Sequence, residues 1–246
     1  MRKSPTYYVD AKSIHSSPDF YSKEERIIFQ DIEKFILQEG YPCVGAQAAI
    51  NGKTFSIGVF KTMEGQEDIK KLALGLENYI DFMDGKASNL QTYLAVFPHI
   101  QITDEVEFEE QLWNLAQNLH EIDTSEWATS VDYEANSPDF SFSFGGKAFF
   151  MVGMHPKSSR RARKSKYPII AFNLQAQFDE LRKKGRYEIM KKATRDREIK
   201  FDGSINPMLA DFGQGSQAAQ YSGRKVEPDW KCPFLAKQAK KYAYEH

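Results

Sequence analysis

Cysteine is scarce in this sequence: Cys43 and Cys232 are the two in 246 residues, far apart and in no Cys-x-x-Cys spacing. Two thiols are too few for a cysteine-built zinc site, and a reducing compartment would keep them from pairing as a disulfide. Long apolar runs are missing as well. No stretch approaches the ~20 apolar residues that cross a bilayer, and the opening MRKSPTYYVDAK has no signal-peptide core, so a cytoplasmic location is the expectation. An excess of one charge is also absent. With a net charge of −1 and neither half uniformly basic, the overall electrostatics give no support to a nucleic-acid partner.

The glycines do not form a nucleotide fingerprint. Gly145-Gly146-Lys147 lacks the spacing and the Ser/Thr of a phosphate loop, and Ala218 stands where a dinucleotide-binding turn needs its third glycine after Gly213 and Gly215. No Gly-x-Ser-x-Gly elbow and no His-Glu-x-x-His pair occur, which removes the usual serine-hydrolase and zinc-protease signatures. No flavin or iron–sulfur motif is visible either.

What is present suits an ordinary globular protein. With 41% hydrophobic and 27% charged residues, the chain is neither disordered nor membrane-embedded. One compact domain of this size buries roughly three quarters of its unfolded surface, enough for a core without staples. No repeat or Pro/Gly/Ser linker divides it. The expectation is one α+β domain over 22–246, a mainly antiparallel sheet flanked by helices with an irregular C-terminal segment, preceded by an extended lead-in over 1–21.

Along the chain, Ser22 and Glu25 form a capping-box pattern, and Ile28, Ile32, Phe35 and Ile36 recur at helical spacing until Gly40, predicting a helix over 23–39. Asn51-Gly52 reads as a hairpin turn before a strand from Thr54 to Phe60. Further helices are predicted over 66–84 and from Asp104 to 121, with a buried strand from Leu90 to Phe97 between them. Phe140–Phe144 and Lys147–Met154 form a hairpin around Gly145-Gly146. A strand over 169–173 and helices near 175–184 and 186–198 follow. Beyond residue 200 the chain is turn-rich and polar, and it closes on a basic, helix-like end.

The chemistry is expected between the strands that enclose His155, Pro156 and six cationic residues in the ten positions from Lys157 to Lys166. That cluster can be a solvated loop, a nucleic-acid patch or an anion cradle. A patch for single strands would want interleaved aromatics, and only Tyr167 is near. Arg160, Arg161 and Arg163 are suited to fork onto carboxylates or phosphates. A lone histidine is poor evidence for zinc, which needs three or four protein ligands. Haem needs one or two, because the porphyrin supplies four nitrogens. His120, at the end of its helix, reads either as a C-terminal histidine beside free carbonyls or as a cofactor contact.

Several segments, in order, carry a resemblance. They are Tyr41-Pro-Cys43-Val-Gly-Ala, Leu112-Trp113 with Leu119-His120-Glu121, Phe142-Ser-Phe-Gly-Gly with Phe149-Phe150, and Val152-Gly-Met-His155-Pro-Lys-Ser-Ser-Arg160. Gly203-Ser-Ile-Asn-Pro207, Tyr221-Ser-Gly-Arg224 and Trp230-Lys-Cys232-Pro-Phe234 complete the set. Together they resemble the YqcI/YcgG family, also described by its FPC and CPF motifs. Tyr41 departs from the Phe of the motif name, and its hydroxyl needs a partner if buried.

The resemblance implies a haem-dependent N-oxygenase acting on a guanidino or amino nitrogen of an arginine-like small molecule. It implies haem b, dioxygen and an external electron donor as partners. On that reading His155 is the expected axial iron ligand, with Cys43, Cys232 and His120 as alternatives. A thiolate would push electron density toward O–O cleavage, but each cysteine abuts a proline and small buried cysteines often serve packing. Arg160, Arg161 and Arg163 are expected to meet the haem propionates. Asn206, Tyr221, Ser222 and Arg224 are expected on the substrate side, since polar turn-rich segments present donors and acceptors. The alternatives are a non-catalytic haem carrier or sensor and, with less support, a nucleic-acid-binding module.

Overall fold

The structure, a computed structural model, describes residues 6–83, 90–210 and 213–237. The basic end expected after Lys237 lies outside the described residues. Six strands form one sheet: β1 (Val9–Asp10), β2 (Phe55–Val59), β3 (Thr92–Val96), β4 (Phe142–Phe144), β5 (Lys147–Met154) and β6 (Ile169–Leu174), in the order β1-β2-β3-β6-β5-β4. Among the described residues only β2 and β3 run parallel; the other neighbours are antiparallel. Parallel neighbours need a crossover. The helix α4 (Gln66–Met83) supplies it.

The expected α+β domain with a mainly antiparallel sheet is the architecture found. Its helices divide between the two faces. α4 and α5 (Glu105–Ile122) cover the face that presents Tyr93, Met151 and Phe172. The opposite face presents Leu94, Met154, Ile169 and Ala171, and packs against α1 (Ala11–Ser16) and α2 (Lys23–Ile36). Strand alternation sends successive residues to these two sides. The register Leu94↔Ala171↔Val152 therefore makes one continuous row on the second face.

Local chemistry accounts for most boundaries. Ser22 and Glu25 close the expected capping box on α2, and Ile28, Phe29, Ile32 and Ile36 are its buried stripe. Asp104 caps α5 through two backbone N–H groups. Gly145 and Gly146 sit at φ +59° and +69°, the left-handed conformation a two-residue hairpin turn requires, and join β4 to β5 as expected.

Two expectations need correction. The lead-in is not wholly extended: β1 pairs with β2, and Asp10 caps α1. Asn51-Gly52 does not join two strands. It ends a helix, α3 (Val44–Asn51), because Ala46, Ala48 and Ala49 are strong helix formers and the Gly52 N–H closes back on Ala48.

Toward the C-terminus come α6 (Gln175–Lys183), α7 (Tyr187–Asp202) and the short α8 (Ala218–Tyr221), with irregular chain between and after them. No helix among the described residues is long and apolar enough to cross a membrane.

Candidate functional site

A cavity of about 300 Å³ opens on the second face of the sheet. Its floor is the row Leu94, Ala171 and Val152 with Met154 and Ile169, and the single methyl of Ala171 between two larger side chains leaves the floor low in the middle. Ile32 and Ile36 of α2, Ala46 and Ala49 of α3, and Met190 and Thr194 of α7 enclose it. Small residues on α3 keep that wall flat.

Cys43 stands in the wall of this cavity. The chain reaches it because Gly40, at φ +75°, turns the end of α2 aside and Pro42 stiffens the approach. Cys43 is then the N-cap of α3, its Sγ accepting the Ala46 N–H at 3.4 Å. Burial pushes the thiol's pKa up, while the amides of Ala46 and Gly45 and the charge of Arg163 pull the other way. The sulfur therefore sits at the positive end of a helix in apolar surroundings. Beside it, the Tyr41 hydroxyl finds the partner its burial demands by donating to the Ala162 carbonyl at 3.2 Å.

The basic loop is a clasp on α7. Arg160 Nη2 lies 2.8 Å from Glu198 Oε1 and donates to the Ser204 carbonyl at 2.6 Å. The Arg161 backbone N–H donates to Asp202, its guanidinium donates to the Phe201 carbonyl at 2.9 Å, and it lies 4.3 Å over the Phe201 ring. Lys166 pairs with Asp31 at 2.7 Å. Of the three arginines, Arg163 lines the cavity; its Nη1 donates to the Gly153 carbonyl at 2.9 Å.

His155 is elsewhere. Met154 faces the cavity floor, so the next residue points to the other side. There the imidazole is buried and stacks on Phe108 of α5 with ring centres 4.2 Å apart. Burial lowers its pKa to about 4, and its Nδ1 has no hydrogen-bond partner among the described residues. It is not among the residues that line the cavity.

The other expected residues separate in the same way. His120 accepts the Lys237 N–H at 2.8 Å and packs against Trp127 and Phe234. Cys232 is buried in the apolar core of the first face, where desolvation pushes its thiol up to about 12. Tyr221 donates to the Phe149 carbonyl and accepts the Phe142 N–H, tying α8 to β4 and β5. Ser222 and Arg224 are both bonded to Glu109 of α5. Asn206 does line the cavity, with Oδ1 accepting the Met208 N–H. The structure thus brings Cys43, Arg163 and Asn206 together in the cavity lining and places the rest elsewhere.

Several lining residues escaped the sequence reading: Gln175 and Arg182 on α6, and Lys191, Arg195 and Glu198 on α7. A signal existed, since residues 191, 194, 195 and 198 follow helical spacing with polar rather than apolar side chains. Burial raises the pKa of Glu198, against the pull of Arg160 and Arg163. Among the described residues no group of three or more His, Cys, Asp or Glu could hold a metal ion through protein ligands alone.

A sequence model described as the YqcI/YcgG family matches residues 32–235. A protein of Streptomyces lavendulae named "Putative N(omega)-hydroxy-L-arginine synthase DcsA" is 29% identical over 228 residues, covering 87% of this chain and 85% of its own. No solved structure matches.

Proposed function

The chain belongs to the YqcI/YcgG family, and from that premise we propose that it is an oxidoreductase hydroxylating a guanidino nitrogen of arginine or an arginine-like small molecule, with haem b in the cavity of the second face. The observation that carries this reading is Cys43: a soft sulfur donor at a helix N-terminus, in the wall of an otherwise largely apolar cavity. The name and 29% identity of the Streptomyces relative support the substrate class.

The donor set fits an iron porphyrin. One protein ligand is enough, and the metal takes the place of the thiol proton, so a thiol kept protonated by burial is no obstacle. Leu94, Val152 and Ala171 offer an apolar bed for a flat macrocycle and keep water out. Arg163, Arg182, Lys191 and Arg195 line the cavity, Arg182 paired with Asp179 and Lys191 with Glu188, and donors such as these are suited to sharing with two carboxylates. Cys43 rather than His155 is the ligand we assign, because the imidazole faces α5.

Haem so held would supply oxygen activation, inserting one oxygen atom of O2 into a guanidine N–H bond to give N–OH while the other leaves as water, with two electrons and two protons drawn from an external donor and solvent. The chain's own part is to hold the sulfur, exclude bulk water and orient the guanidine. Asn206 and Glu198 supply polar atoms in the wall for that orientation.

The test is purification with haemin followed by incubation with arginine, oxygen and a reductant. A Soret band and N-hydroxyarginine by mass spectrometry are expected. A colourless protein overturns the cofactor assignment, and a haem-loaded protein that leaves arginine and its analogues unchanged is a binding protein, not a hydroxylase.

A further inference from the structure

Two buried glutamines stand two positions apart on α6 and are treated very differently by the fold. Gln177 is fully engaged: its Oε1 accepts the Gln91 N–H at 2.6 Å, and its Nε2 donates to the Gln91 carbonyl at 3.0 Å and to the Tyr79 hydroxyl at 3.2 Å. Gln175 is 4% exposed and lines the cavity, yet neither its Oε1 nor its Nε2 has a hydrogen-bond partner among the described residues. Buried side-chain polar atoms nearly always find one. An amide with both atoms unmet, on a residue that lines a cavity, points to partners that arrive with a ligand.

Its position adds a second feature. Gln175 is the first residue of the nine-residue α6, whose N-cap, Leu174, offers no side-chain cap and whose first turn holds no acidic residue. The leading N–H groups of such a helix favour an anion. Arg182, two turns on, also lines the cavity, with its Nη1 paired to Asp179 Oδ1 at 2.7 Å.

We propose that Gln175 and the N-terminus of α6 receive the α-amino-acid end of the substrate, and that this contact selects an amino acid over a simple guanidine. The substrate ammonium donates to Oε1, and its carboxylate accepts from Nε2 and the first-turn amides. A guanidinium only donates and would leave Nε2 unmet. A haem propionate only accepts and would leave Oε1 unmet. A group carrying an adjacent donor and acceptor satisfies both atoms, and Gln175 is accordingly a specificity-determining residue. This inference rests on the arginine-hydroxylase reading above.

The experiment is calorimetric titration of the haem-loaded protein with L-arginine and with agmatine, its decarboxylated counterpart, for wild type, Gln175→Met and Gln175→Leu. Methionine keeps the length and unbranched shape of glutamine, so one variant folds even where leucine packs poorly. Wild type is expected to prefer arginine over agmatine by about tenfold or more, and both variants to lose about tenfold in arginine affinity with little change for agmatine. KM for arginine rises while kcat at saturation stays within about threefold. Ligand-free Gln175→Met is also expected to melt a few degrees higher, roughly 2–4 °C, because two unmet buried polar atoms are gone. Variants that bind arginine as wild type does, with discrimination intact, overturn this inference alone. A haem-loaded wild type that binds neither compound overturns the substrate reading and this inference with it.

Discussion

Glu109 on α5 and Arg224 in the C-terminal segment form a buried ion pair, with Arg224 Nη2 and Nε both donating to Glu109 Oε2 at 2.6 and 3.0 Å. Glu227 accepts from Nη1 and Ser222 donates to the other Glu109 oxygen, so the guanidinium and carboxylate are committed within the protein. The pair fastens the 221–227 segment against Gly153, where a side chain would collide with Phe108 and the Tyr221 carbonyl. Removing one partner of a buried pair leaves an uncompensated charge. Arg224→Ala should therefore lose about 3–5 kcal/mol of stability in urea melts, with arginine affinity of the folded protein unchanged. A loss of affinity without a loss of stability would return Arg224 to the substrate side.

Cys43 packs beside the core of the second face and Cys232 belongs to the core of the first, so the sheet lies between them. They cannot share one metal centre. Cys43→Ser is expected to abolish or shift the Soret band of haem-loaded protein and to remove the thiolate signature of its reduced carbon monoxide complex. Cys232→Ser and His155→Gln should leave both spectra in place. A spectrum that follows His155 and ignores Cys43 would reverse the ligand assignment.

How much of this was legible in the sequence depends on how local each signal is. The capping box at Ser22 and Glu25, the paired glycines at 145 and 146, and the apolar stripes of α2 and α5 act within a few residues of themselves, and all were readable. Asn51-Gly52 was misread because the same dipeptide serves a hairpin or a helix end, and only the alanines before it decide. Cys43 and Asn206 were visible as motif residues, but not the side of the sheet each would occupy. His155 turned on parity: one residue, just past the end of β5, separates the cavity floor from the Phe108 stack. Arg160 and Arg161 looked free because Glu198 and Asp202, which pair with Arg160, and Phe201, whose carbonyl and ring take the Arg161 guanidinium, lie about 40 positions away and meet them only once α7 docks.

Tyr41 offers a small and separable test of the connection between α2 and α3. Its hydroxyl donates to the Ala162 carbonyl while its ring packs edge-on against Phe35 and Phe201. Tyr41→Phe keeps the ring and leaves the carbonyl without that donor, at a cost of about 0.5–1.5 kcal/mol. Thermal or urea denaturation should register this loss, and haem affinity should stay the same. A large drop in haem affinity would mean that the hydroxyl acts in the cavity and not as a tie to the basic loop.

His155 makes stability depend on pH. In the folded protein its pKa is depressed to about 4 by burial, against 6.5 for an ordinary histidine, so between these values the unfolded chain binds the extra proton. Stability therefore rises with pH across this window: the contribution is fully present above about pH 6.5 and is lost as pH falls toward 4, at up to about 1.4 kcal/mol per unit. The mutant His155→Phe keeps an aromatic ring on Phe108 but cannot titrate. Urea melts of both proteins at pH 7.5 and pH 5 should show wild type losing about 2 kcal/mol more than the variant. Every other titrating group, Glu198 included, is common to the two proteins and cancels in that difference. Parallel losses would mean that the imidazole takes up its proton in the folded state, and that it is better solvated than its stacked position against α5 implies.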